Sequence, residues 1–347
     1  MAIRSANTPE HIAERLEAVF RGEGEGPEAF CAFDEEPITA ELLLATAAVV
    51  RRYAVTVHVP PNRTVIDVSV AGTHADERLD ISVGAALLVA ACDGTVGYQS
   101  FVPGRARGEA LVRALGLPVQ SSPAEAHHAL IQYGYTTLAR DSFHPTLTTN
   151  APRLPSLSAL VGLLGPLANP TGPRCHLVGV HHPALTEPLA RALGLSGAET
   201  ALVVTAGGHP HLATDAETVG HRWSDGRLSE FRHAGNGKPL DGLQTGGPTV
   251  DAARLESMFD GTRGPLADVV ALNAGAALWV GGVLPTFAEA LRWARSRLAQ
   301  RVELSDFCGG AAPVTSPIRT DPSSASTSRR SPHLPRGSAR RGRDRRE

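Results

Sequence analysis

Residues 157–170 read LSALVGLLGPLANP. An apolar run meets Gly165-Pro166 and is closed by Asn169-Pro170. The run is suited to a core. Each Xaa-Pro step pushes the preceding residue out of the helical region, so the chain is stopped and redirected twice within a few residues.

Downstream, HLVGV (176–180), PALTEPLARALG (183–194) and ALVVTAG (201–207) give a strand, a helix and a strand. Upstream, VHVP (57–60) and TVIDVSVAG (64–72) are further short β-branched runs bounded by Gly or Pro. Such runs read as buried parallel strands. Helical spacing recurs in ISVGAALLVAAC (81–92), GEALVRALG (108–116), SPAEAHHALIQYG (122–134), VDAARLESMF (250–259), LADVVALNAGAALWVGG (266–282) and FAEALRWARSRLAQRV (287–302). The alternation argues an α/β architecture with a mostly parallel sheet. Two strong helical patterns precede it, NTPEHIAERLEAVF (7–20), with Asn or Thr as N-cap, and ITAELLLATAAVVRRYA (38–54), with Thr39 as cap. The organisation expected is a small helical domain over residues 1–62, an α/β domain over 63–312, and a Ser-, Pro- and Arg-rich tail over 313–347 that lacks the apolar content to build a core.

The 347-residue chain, 42% hydrophobic, can bury one large core or two moderate ones. Its net charge of −2 conceals an asymmetry. Residues 315–347 hold nine Arg and three acids, about +6, which leaves 24 Lys and Arg against 32 acids elsewhere, about −8. An acidic body does not suggest a nucleic-acid surface, so weak nucleic-acid contact is expected only of the tail. Cys31, Cys92, Cys175 and Cys308 lie far apart with no C-x-x-C, as in reduced cytoplasmic proteins. Apolar segments fall short of the ~20 residues that span a bilayer, and no membrane association is expected.

The chain resembles the anthranilate phosphoribosyltransferase family over roughly residues 35–310. GLLGPLANP (162–170) is similar to that family's NLLGPLTNP, FHPTL (143–147) to its YHPAM, and GPLADVVALNAGAALWVGG to its RDAVLLNAAAALYVAG. The stretch from 177 to 204 follows its strand–helix–strand in register. The resemblance implies a nucleoside phosphorylase/phosphoribosyltransferase-like fold, a homodimer through the helical domain, a phosphorylated sugar as substrate, and Mg²⁺ as cofactor.

The family's site motifs are altered. Its GTGGDG phosphate loop, which lets backbone N–H groups approach the phosphates, here reads AGTHADERLDIS (71–82). Gly72 and Thr73 remain, and His74, Asp76 and Glu77 add bulk and negative charge. Asp76 and Glu77 would suit a metal that bridges to a phosphate. The family's NIST reads DISV (80–83): Ser82 remains as a phosphate contact at the start of a helix, where N–H groups and the dipole attract anions, and Asp80 replaces an amide. The family's KHGN reads VGYQ (96–99), leaving Arg105, with Arg107 beside it, as the best phosphate ligand. The acidic metal pair that follows the ALVV strand is replaced by His209-Pro210-His211, with Asp215 and Glu217 beyond it. Mg²⁺ would not choose two imidazoles, and two alone make a weak transition-metal site.

The Arg that pairs with the anthranilate carboxylate corresponds to Ser158, while His144 and Arg153 remain to line an acceptor pocket. Two functions follow: a pentosyl or phosphoribosyl transferase with an acceptor other than anthranilate, or a non-catalytic homologue that binds a ligand or nucleic acid, or regulates.

Overall fold

The computed structural model describes residues 8–23, 37–72, 79–101, 107–154, 158–240 and 242–308. Its frame is one seven-stranded sheet of β1 (Val65–Ala71), β2 (Thr95–Gln99), β3 (Tyr135–Leu138), β4 (Cys175–Val180), β5 (Thr200–Ala206), β6 (Thr218–Ser224) and β7 (Arg227–His233), in the order β3-β2-β1-β4-β5-β6-β7. The first five strands in that order are parallel; β6 and β7 are antiparallel. The parallel strands are buried on both faces, which is why they are mostly apolar and β-branched, with the polar residues among them buried as well.

The helices are α1 (Pro9–Phe20), α2 (Ala40–Arg52), α3 (Ile81–Ala91), α4 (Arg107–Ala114), α5 (Pro123–Tyr133), α6 (Arg140–Phe143), α7 (Pro145–Asn150), α8 (Ser158–Leu163), α9 (Thr186–Leu195), α10 (Pro248–Phe259), α11 (Pro265–Val280) and α12 (Phe287–Ala299). Their starts follow local chemistry. Thr8 and Thr39 cap α1 and α2, and Ser122 with Glu125 forms a reciprocal capping box on α5, whose far end stops at left-handed Gly134.

Successive strand residues face opposite sides of the sheet, and each side has its own apolar cluster. Leu177, Leu202 and Val204 join α3, α4, α10, α11 and α12. Val178, Val180, Ala201 and Val203 join α1, α2 and α9 on the other side. Helices α3 and α11 are buried almost all round, and Gly84 lets α3 approach its neighbours: a Cβ there would stand 3.0 Å from Leu255 of α10 and 3.1 Å from Val270 of α11. No described helix is long and apolar enough to cross a membrane.

Residues 158–170 form α8, a 3₁₀ turn at Pro166–Ala168 and an extended exit at Asn169. The Asn169 amide donates to Asp67 Oδ1 (3.1 Å) and to the Gly97 carbonyl (2.9 Å), and its Oδ1 accepts from Thr171 N and Oγ1. One side chain thereby ties the turn to β1 and β2.

VHVP is not a strand. It runs as irregular chain held by single bonds, Val57 N–H to Pro170 O and His127 Nδ1–H to His58 O. Pro60 and Pro61 follow without N–H donors, so no ladder propagates. The 313–347 tail lies outside the described residues.

Candidate functional site

The chain runs outward from β1 to β2 and β3, then returns to place β4 on the other side of β1. That reversal is a topological switch point. In open α/β sheets, ligands bind beyond the carboxyl ends of the strands at such a point. A cavity of about 290 Å³ opens there. Ser69 and Val70 of β1, Gly179 of β4 and Val204 of β5 line its floor, with Tyr98 and Gln99 of β2 to one side. Asp80 and Ser82 at the start of α3, Arg107 of α4, Asp251 of α10 and Asn273 of α11 supply part of its polar wall.

Gly72 ends β1 at φ +110°, a conformation that favours glycine. Its N–H donates to Gly162 O at 3.0 Å, and a Cβ on Gly162 would stand 2.8 Å from the Gly72 backbone. The Gly-Leu-Leu-Gly stretch thus abuts the strand end from which the phosphate-loop motif departs. Thr73, Asp76, Glu77 and Arg105 lie outside the described residues, as does the side chain of Ser158.

Ser82 lines the cavity as the sequence suggests, but the helix start it occupies is capped by the protein's own carboxylate. Asp80 Oδ1 accepts from Ser82 N–H (3.0 Å) and from Ser82 Oγ (2.5 Å), and Asp80 Oδ2 accepts from Tyr98 Oη (3.2 Å). Burial, with the Asp80 charge second, pushes the Tyr98 phenol well above its ordinary range, so Tyr98 stays a donor. Gly108 makes room beside it, because a Cβ there would stand 2.1 Å from the phenol oxygen and force the ring to shift.

His144 and Arg153 do not line this cavity. His144 lies beneath it: Nε2 faces Gln99 Oε1 (3.2 Å), Gln99 Nε2 donates to Gly165 O (2.7 Å), and Phe101 packs edge-on at 4.9 Å. Burial, then the Arg140 charge, lowers the His144 pKa to about 4, so the ring is neutral at pH 7 and Nε2–H is the donor to Gln99. Arg153 donates to Asn150 Oδ1 (3.2 Å) and Val19 O (3.4 Å), bracing the end of α1.

Two features went unforeseen in the sequence. Asp251 is buried against the cavity, accepting from Thr245 Oγ1 (2.5 Å) and Gly246 N–H (2.9 Å). The signal was present in GGPTVD, where Gly247-Pro248 is a good helix entry. Under the floor, Asp67 is fully buried and takes Ser69 Oγ (2.8 Å), Asn169 Nδ2 and His176 Nδ1 (3.4 Å).

His181 and His211 also face the cavity. The His211 Nδ1–H donates to Leu212 O (2.9 Å), which also accepts from Asn273 Nδ2, while Leu212 N–H donates to Asn273 Oδ1. Asn273 therefore fixes the turn that carries the H-P-H segment. Among the described residues no three His, Cys, Asp or Glu side chains converge as a metal site.

The family model for the glycosyl transferase family a/b domain matches residues 62–300. The anthranilate phosphoribosyltransferase of Stenotrophomonas maltophilia (strain R551-3) is 32% identical over 276 residues, covering 75% of this chain and 79% of that one. The Caulobacter vibrioides enzyme of the same name is 31% identical over 297 residues, covering 83% and 82%. Among solved structures, anthranilate phosphoribosyltransferase from Thermus thermophilus aligns with a TM-score of 0.74 at 29% identity, covering 84% of this chain and 91% of that one. The Saccharomyces cerevisiae enzyme in complex with phosphoribosyl pyrophosphate and Mg aligns at 0.71 with 15% identity, covering 84% and 89%, a likeness of fold alone.

Proposed function

The chain belongs to the anthranilate phosphoribosyltransferase family, and from that premise we propose that it transfers a pentosyl or phosphoribosyl group to an acceptor other than anthranilate. The observation that carries this reading is the position of the cavity, at the β1/β4 switch point and lined by Ser69, Ser82 and Arg107. In this reading Gly72 and Thr73 begin the loop that covers the donor phosphates, and Ser82, Arg105 and Arg107 contact them. The acceptor takes the apolar side, with His144 supporting Gln99 and Phe101 of that wall from behind, while Arg153 braces α1 and takes no part in the pocket. Loss of the guanidinium at Ser158 removes the charge-assisted pair that a carboxylated acceptor would need.

Mg²⁺ is proposed to arrive with the donor. It keeps several waters and is held by one or two carboxylates plus substrate phosphates. The described residues do not by themselves complete such a set, and Asp76 and Glu77 are its proposed protein ligands. The remaining proposals are a helical domain over 1–62, an α/β domain over 63–312, a cytoplasmic homodimer paired through the helices, and weak nucleic-acid contact through the tail.

The non-catalytic alternative draws on one observation, the self-capped start of α3. The test is incubation with phosphoribosyl pyrophosphate, Mg²⁺ and a panel of heterocyclic amines and phenols, with products read by mass spectrometry. A pentosylated product from the panel and none from anthranilate supports transfer. Product from anthranilate, or from no acceptor at all, contradicts it.

A further inference from the structure

We infer that Asp80 sets the charge preference of the cavity, holding with its own carboxylate the donors that would otherwise receive an anion. The inference rests on the reading of this cavity as the donor site. Three donors near the mouth of α3 converge on one carboxylate: Ser82 N–H, Ser82 Oγ and Tyr98 Oη. A phosphate bound there would meet donors already engaged and a fixed negative charge at contact distance. Like charges in one site raise each other's cost, and a partly buried site screens them less than water does.

The rest of the described wall does not compensate. Asp251, the second carboxylate of the cavity, is likewise engaged by Thr245 and Gly246. Against these two stand Arg107, whose residue is exposed, and the imidazoles of His181 and His211, of which His211 already gives its Nδ1–H to Leu212 O. Most other wall groups are apolar, among them Leu79, Ile81 and Val204. A densely charged pyrophosphate fits this wall poorly unless its charge is reduced by a cation. A neutral or singly charged ligand with hydrogen-bond donors fits it as it stands. Asp80 is therefore a specificity-determining residue, selecting against bare pyrophosphate.

The fold does not require the charge. Asn caps helices as well as Asp does, and Ser also caps, so Asp80→Asn and Asp80→Ser keep an acceptor for Ser82 N–H. The experiment is calorimetric titration of the full chain and both variants with inorganic pyrophosphate in EDTA, with thermal melts as a check on folding. The expected result is a Kd in both variants lower than that of the native chain by on the order of tenfold or more, as removal of a neighbouring like charge predicts. An unchanged Kd, or no binding by any of the three proteins, overturns the inference. The two readings fail separately. Tighter pyrophosphate binding in the variants without pentosyl transfer to any acceptor sinks the proposed function and leaves the role of Asp80. Tight metal-free binding by the native chain together with transfer does the reverse.

Discussion

Replacing Asn169 with alanine strikes the junction on which the sheet, the Gly-Pro turn and the cavity floor all depend. The side chain makes four hydrogen bonds: its Nδ2 donates to Asp67 Oδ1 and Gly97 O, and its Oδ1 accepts from Thr171 N and Oγ1. Asp67, Thr171 and Asn169 are buried at 0%, 3% and 6% exposure, so water does not replace the lost partners without rearrangement. Each ordinary hydrogen bond contributes ~1 kcal/mol net, and each orphaned buried group costs ~1–3 kcal/mol. A carboxylate stripped of a donor stands at the upper end of that range. Four bonds with partial relaxation give a loss of about 3–5 kcal/mol, a large share of the ~5–15 kcal/mol that holds a domain together. At ~2–4 °C per kcal/mol, the melting temperature falls by roughly 6–20 °C. Urea denaturation followed by circular dichroism reads the free energy directly. Asn169→Asp keeps the shape but sets a second carboxylate beside Asp67, so it is expected to lose at least as much. A loss under about 1 kcal/mol in Asn169→Ala would refute the reasoning, because the network would then be incidental to the fold.

Other outcomes follow from the same geometry. Gly162→Ala pushes a methyl group to 2.8 Å from the Gly72 backbone and is expected to destabilise by about 1–3 kcal/mol in the same denaturation assay. His144 is neutral when folded, with its pKa lowered to about 4, whereas the unfolded ring titrates near 6.5. Between those values the unfolded chain binds the extra proton, so stability falls as pH drops from ~6.5 toward 4, by up to ~3 kcal/mol from this group. His144→Gln should flatten that part of the stability–pH curve, and an unchanged curve would show that His144 is not buried as described. Ser82→Ala removes the Oγ that donates to Asp80, leaving that carboxylate less compensated while the cap on the residue-82 N–H stays, and should weaken donor binding in calorimetry while shifting the melting temperature little.

Much of the frame was legible in the residues. The β-branched runs at 64–72, 176–180 and 201–207 are β1, β4 and β5, because strands buried on both faces are mostly apolar, with their few polar side chains, such as Asp67 and His176, paired internally. The strands β2 and β3 were not visible: TVGYQ and YTTL are short and carry polar atoms that tertiary partners satisfy, such as Gln99 with Gly165 and Thr137 with Tyr135. The β6–β7 hairpin left a readable mark in Asp225-Gly226, whose φ values of 53° and 70° suit a two-residue turn. VHVP misled because its β-branched pattern says nothing about whether a strand edge is available beside it.

At the site, the sequence pointed to Ser82 at the head of α3 and to an added charge at Asp80. That this charge turns back on Ser82 and Tyr98 is a matter of side-chain direction, which spacing does not encode. That neither His144 nor Arg153 lines the cavity has the same origin. His144 is a polar residue in a matched motif and Arg153 lies between two of them, and only packing shows that one braces Gln99 and the other braces α1.

The most direct test of the central claim is a crystal structure of the full chain soaked with phosphoribosyl pyrophosphate and Mg²⁺ at millimolar concentration. The account predicts the sugar and its phosphates in the cavity beyond β1 and β4, within hydrogen-bond distance of Ser82 and Arg107, with the apolar wall left open for an acceptor. Ligand bound at another place, or a cavity that stays empty under those conditions, would contradict it.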